Sequence, residues 1–197
     1  MSSQNLPTRT RILKATWELL DSNPGVAARM SDIAKKAGVS RQALYLHFPN
    51  RTELFIATTK YQDEVFGIQD GLAETRSAKS GTDRLRRYIE AWANHIPKIF
   101  GVAKTLMVMK ETDADAATAW ADRMQDMREG CAAAITALDA EDLLKPELDP
   151  DSATDILWTL LSISNWEQLT VTCGWPQPRY IERISAIAIQ SLTLNEA

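Results

Sequence analysis

The stretch SDIAKKAGVSRQALYLHFPNRTELF, residues 31–55, decides how this chain folds. Ile33, Ala34, Ala37, Val39, Leu44 and Phe48 supply the buried side of two short helices meeting at a tight turn. The first helix runs near Ser31–Ala37, and Gly38 follows where a helix end favours the left-handed conformation. Ser40 is a good N-cap for the second helix, whereas Arg29 stands before the first one where a capping hydroxyl is more comfortable. Ala34 is small enough for the helices to cross closely, so the pair reads as a helix-turn-helix. Its second helix bears long hydrogen-bonding side chains. Arg41 suits guanine O6/N7 and Gln42 suits adenine N6/N7 in a major groove. Tyr45, His47 and Arg51 suit phosphate oxygens, and Ser31 and Lys35 suit the flanking backbone. A helical hairpin with a merely solvated face shares the apolar spacing. The charge distribution and the run from Tyr45-Leu46-His47-Phe48 into Pro49-Asn50-Arg51 favour the DNA reader.

Net charge over the 197 residues is −4, which by itself argues against a polyanion partner. Its distribution argues for one. Residues 1–60 hold nine Lys/Arg against four acids, a net of +5, which leaves −9 on residues 61–197. A basic head on an acidic body implies two jobs, with nucleic acid confined to the head.

Outward from the head, the long segments read as helix, and the fold class is all-α. The first helix covers about Thr8–Leu20 and stops at Asn23-Pro24-Gly25. Asn50-Arg51-Thr52-Glu53 has the form of a capping box and starts a long helix through Leu72. Leu85–Ile96 forms a helix stopped near Pro97, Ile99–Met109 another, and Trp120–Leu138 a stripe of a third. Asp149-Pro150 caps a helix to about Cys173, and the final helix follows Gln177-Pro178 to about Leu192. The reading gives about nine helices: a three-helix head over 1–50, and a linking helix with five more over 51–197.

The first residues, MSSQNLPTRTRILK, lack the apolar run of a secretion signal, and the apolar stretches such as 156–163 are too short to span a bilayer. The expectation is a cytoplasmic protein without a membrane role. Cys131 and Cys173 are far apart in apolar patterns and read as small core residues. No phosphate-binding glycine loop, HExxH or metal-ligand spacing is present, so neither an enzyme nor a metal or cofactor site is expected.

The run 31–55 resembles the TetR family of one-component transcriptional regulators, through its Ile-Ala, Ala-Gly-Val-Ser, Tyr-x-x-Phe and the basic residue before an acid and a Leu. The resemblance implies an all-α dimer with a DNA-binding head and a ligand-binding, dimerising body. It places DNA contacts at Ser31, Arg41, Gln42, Ala43, Tyr45, His47 and Arg51. Arg51 stands where the family usually has lysine, Arg29 where it has a small hydroxyl residue, and Gln42-Ala43 where Gly-Thr is frequent. A homodimer would place two recognition helices about 34–36 Å apart, on a palindromic double-stranded DNA operator.

The resemblance assigns the last two helices to the dimer interface, with Leu157, Leu160, Leu161, Tyr180, Ile184, Ile187 and Ala188 as its apolar residues; the core of a single chain would use the same residues. In the body, Trp92, Phe100, Met107, Trp120, Met124, Met127, Trp158 and Trp166 could line a site for a small apolar or aromatic effector. His95 and Asn165 are the candidate polar anchors there. Plain core packing accounts for each of these residues equally well.

Overall fold

The computed structural model describes residues 6–22 and 28–194, so the expected stop at Asn23-Pro24-Gly25 lies outside the described residues. The helices are α1 (Thr8–Ser22), α2 (Met30–Ala37), α3 (Arg41–His47), α4 (Arg51–Phe66), α5 (Ile68–Arg76), α6 (Gly81–Met109), α7 (Ala114–Asp139), α8 (Pro150–Leu160), α9 (Ile163–Glu167) and α10 (Gln177–Leu192). Among the described residues the β pairing is a single bridge, Leu144 to Thr193. The chain forms two compact units: one runs to Val65 and takes in Ile99–Met124, the other holds Phe66–Lys98 and the chain from Gln125 onward.

The first unit is organised around Ile12, Leu20, Ile33, Leu44, Leu54 and Phe55, all fully buried. Val102 and Leu106 from the end of α6 and Ala116 and Ala119 from the start of α7 complete the same core. Thr105 donates its hydroxyl to the Leu20 carbonyl at 2.6 Å, which ties α6 to α1. At Gly101 the approach leaves no room for a side chain, because a Cβ would lie 1.5 Å from Asp21 Oδ1. α4 starts on the expected cap: Asn50 Oδ1 accepts from the Glu53 N–H at 2.8 Å, and Asn50 Nδ2 donates to Glu53 Oε1 at 2.9 Å. The return bond comes from the asparagine amide rather than from the backbone N–H of the usual box.

In the second unit Ile89, Trp92 and Ile96 of α6, Cys131 and Ile135 of α7, Leu157 of α8, and Tyr180 and Ala188 of α10 are all buried. Tyr88 donates its hydroxyl to the Met127 carbonyl at 3.1 Å, and Gly130 gives it room, since a Cβ there would meet the Tyr88 hydroxyl at 2.4 Å. Burial pushes the Cys131 thiol up to about 12, so it stays protonated and inert. Cys173, expected in the core, is exposed.

Three helix boundaries differ from expectation, each for an identifiable reason. Pro97 does not end a helix; it lies inside the 29-residue α6. A proline at that position removes the donor to the carbonyl four residues back, which is Ala93. Gln177 replaces it, donating Nε2 to the Ala93 oxygen at 2.7 Å. The helix expected from Asn50 through Leu72 breaks at Gly67, whose φ of +66° is the left-handed turn that a glycine adopts without strain. The helix expected from Asp149 to Cys173 keeps its cap, with Asp149 accepting from the Ser152 N–H at 2.8 Å, but breaks after Leu160. There the Ser162 hydroxyl accepts from the Asn165 N–H and starts α9 afresh, and a π-helical turn over 168–172 follows.

Candidate nucleic-acid interface

α2 and α3 build the surface as the sequence predicts. Gly38 takes φ +65° and ψ +39°, its N–H returning to the Ala34 and Lys35 carbonyls, and Val39 donates to Ala34 O at 3.0 Å. No side chain caps α2 at Arg29, whereas Ser40 caps α3 by accepting from the Ala43 N–H at 3.0 Å. Leu44 and Phe48 are buried against the first unit's core, which anchors the seven-residue α3 and turns its other sides outward.

On that outward surface Ser31, Arg41, Gln42, Tyr45 and His47 are exposed, and Ala43 is half-buried. Arg41 lies over the Tyr45 ring, its guanidinium carbon 5.8 Å from the centroid, so the two side chains restrict one another. Ser31, Arg41, Tyr45, Asn50 and Arg51 line one open hollow together with Arg29 and Asp115. His47 belongs to a separate hollow with Arg9, Phe48 and Lys60, while Gln42 and Ala43 lie in neither. Arg9 stacks on Phe48 at 5.2 Å and adds an exposed cation beside His47.

Arg51 is held in place from within the protein. Its Nε donates to Asp115 Oδ2 at 2.9 Å and its Nη2 to Asp113 at 2.8 Å, while Thr52 gives its hydroxyl to Asp115. Asp113 also accepts from the Ala116 N–H at 3.2 Å, so one carboxylate both caps α7 and pairs with the first residue of α4. The Thr52 hydroxyl bond, and then the Arg51 guanidinium, hold the Asp115 carboxyl below its ordinary range against the opposing effect of burial. A phosphate reaching Arg51 therefore competes with two carboxylates. The pairing spans more than 60 residues of sequence and carries no local signal.

Leu46 is the surface residue that the sequence reading passed over. It is 81% exposed, on the outward side of α3 one residue before the helix ends. Its apolar type gave no hint of that position.

The residues expected around an effector divide between the two units. Phe100, Met107, Trp120 and Met124 belong to the first unit, each half-buried. Trp120 lines a small apolar hollow there with Thr59, Gln62, Ile99 and Leu106. Trp92, His95, Met127, Trp158, Asn165 and Trp166 belong to the second unit. His95 is buried against Trp92 and Phe66, at ring separations of 6.0 and 6.3 Å. Several polar atoms there already have protein partners. Trp92 Nε1 donates to Leu161 O at 3.0 Å, Trp166 Nε1 to Gln177 Oε1 at 2.8 Å, and Asn165 Nδ2 to Thr159 O at 2.6 Å.

Of the residues expected at a dimer interface, Leu157, Leu161, Tyr180, Ile184 and Ala188 are buried within the single chain. Leu160 is half-buried, and Ile187 is 43% exposed. Among the described residues no helix is long and apolar enough to cross a membrane, and no group of three His, Cys, Asp or Glu is placed to hold a metal ion.

Residues 12–58 match the family described as bacterial regulatory proteins, tetR family. The chain is 31% identical over 116 residues to the nucleoid occlusion factor SlmA of Marinobacter nauticus, a match covering 58% of this chain and 60% of that relative. In the SlmA relatives of Marinobacter and Marinomonas the matched stretch spans between 32% and 60% of their own length. Among solved structures, the regulator FadR from Bacillus subtilis in complex with stearoyl-CoA superposes with a TM-score of 0.75 at 15% identity, over 92% of this chain and 98% of that one. NalD, the secondary repressor of the MexAB-OprM multidrug efflux pump in Pseudomonas aeruginosa, gives 0.69 at 20% identity, over 98% and 100%.

Proposed function

We propose that this chain, whose residues 12–58 match the tetR family of bacterial regulatory proteins, is a ligand-responsive repressor of that family, released from a palindromic operator by a small apolar or aromatic effector. One observation carries the DNA half of this reading: with Leu44 and Phe48 buried, α3 turns Arg41, Gln42 and Tyr45 to solvent beside Ser31. Segment 1–50 does the reading of DNA and segment 51–197 the sensing and pairing. Arg41 and Gln42 read base edges, and Ser31, Ala43, Tyr45, His47 and Arg51 meet the backbone or the groove wall. Pairing of two chains through α8 and α10 draws on their exposed apolar side chains, Ile156 and Ile187.

The effector half draws support from the Trp- and Met-rich interior. It is also supported by the likeness of fold to FadR, solved with stearoyl-CoA, and to the repressor NalD. Release follows from linkage. An effector that binds the DNA-competent state less well lowers operator affinity, and operator lowers effector affinity by the same factor, typically about 5–150-fold. The protein works in the cytoplasm, as its DNA partner requires.

Gel shift against chromosomal fragments tests the reading. Salt-sensitive, sequence-selective complexes are expected, and Arg41→Ala or Tyr45→Ala should weaken them by about 1–3 kcal/mol each. Binding that is indifferent to both substitutions would remove the proposal. The SlmA likeness favours a second reading, in which the DNA-bound protein acts on the nucleoid rather than at one promoter. Chromosome-wide occupancy separates the two, since a repressor marks one or a few promoters and a nucleoid factor marks many dispersed sites.

A further inference from the structure

We infer that Leu46 is a specificity-determining residue that selects a thymine, through its 5-methyl group, beside the adenine read by Gln42. The inference rests on the DNA-binding reading and names what the exposed apolar residue of that surface recognises. The geometry is set by the buried anchor. With Leu44 fully buried and about 100° of rotation per residue, Gln42 and Leu46 lie about 20° on either side of the line pointing straight away from the core. They are four residues apart and so adjacent on the helix surface. Arg41 and Tyr45 occupy one flank as a stacked pair, and His47 lies on the other flank in its separate hollow. Leu46 therefore shares the groove-facing line with Gln42, one turn further along α3, and at 81% exposure it is left largely uncovered by the protein.

What an apolar side chain meets in a major groove decides the base. Every base offers hydrogen-bonding groups on its major-groove edge, thymine its O4 included, and an isobutyl group set against them strips water without replacement. Thymine alone presents a methyl there, and burying it against Leu46 returns free energy instead of costing it. Gln42 on the same line suits the N6/N7 edge of adenine. The outward line of α3 is thus built for A·T pairs, with the guanine preference left to Arg41.

The test uses the full chain and a duplex selected by it from random sequence. Each thymine of a half-site is replaced in turn by deoxyuridine, which removes only the 5-methyl. At one position the wild-type chain should lose about fourfold in affinity, the worth of one buried methyl. Leu46→Ala should lose less than twofold there, while its thermal melt stays at the wild-type value, as suits an exposed position. Selection by Leu46→Asn should abandon thymine at that position while keeping the adenine. Uracil tolerated everywhere, or an equal loss in wild type and Leu46→Ala, would overturn the inference and leave DNA reading intact. Failure of the wild-type chain to select any sequence would overturn both.

Discussion

Arg51 shows how a single side chain takes its meaning from distant partners. In the sequence it is a cation near a helix start, fit for phosphate. In the fold it is shared between Asp113 and Asp115, with Thr52 closing the set. Because the folded Asp115 carboxyl titrates below its ordinary range, the stability it adds is complete above about pH 5 and fades as the pH falls below about 4. Asp115→Asn should therefore cost about 0.5–1 kcal/mol at pH 7, modest because the Asp115 side chain is 36% exposed, and less than that at pH 3. Urea unfolding at the two pH values measures it; an equal cost at both would show that the charge contributes nothing. Exposure on α3 was legible for Arg41, Gln42, Tyr45 and His47, since polar type and periodicity agree there. For Leu46 they disagree, because a leucine reads as core by type and the helix phase alone turns it outward. The acid partners of Arg51 were not legible, since nothing local joins residues so far apart in the chain.

At the scale of the element, caps were readable and breaks were not. Ser40, Asn50 and Asp149 act on N–H groups three residues away, so their effect is written in the neighbouring sequence. Pro97 is the opposite case: local chemistry demands a stop, and a side chain 80 residues further on removes the demand. Gln177 performs two tasks at once, donating to the carbonyl orphaned by Pro97 and accepting from the Trp166 indole. Replacing it by leucine should strand both groups and cost about 2–6 kcal/mol in urea unfolding, twice the penalty of one unsatisfied buried group. Pro97→Ala in that background should recover part of the loss, because an alanine N–H restores the donor to Ala93. If Gln177→Leu is neutral, the continuity of α6 has another cause. Ser162 and Gly67 follow the same logic on a smaller scale, each offering the backbone a local alternative to helix.

For the whole molecule, the charge contrast between residues 1–60 and the rest was legible, but the fold blurs it, because Asp113 and Asp115 from the acidic part join the first unit and pair with Arg51. The all-α class was equally plain from the helical periods. The effector residues were not, since tryptophan and methionine serve a packed interior and a ligand site with the same properties, and Trp92 and Trp166 already spend their indole N–H groups on the protein. The dimer residues were blurred for the same reason: apolar spacing does not say which side of a buried stripe faces its own chain.

The central claim is that two copies of α3 read one duplex together. Fluorescence titration of a selected operator, with the complex sized by sedimentation, tests it most directly. Two chains per duplex are expected, and inserting about five base pairs between the half-sites should abolish tight binding by placing the second half-site on the opposite face. A complex of one chain per duplex, or affinity that survives the insertion, would contradict the account.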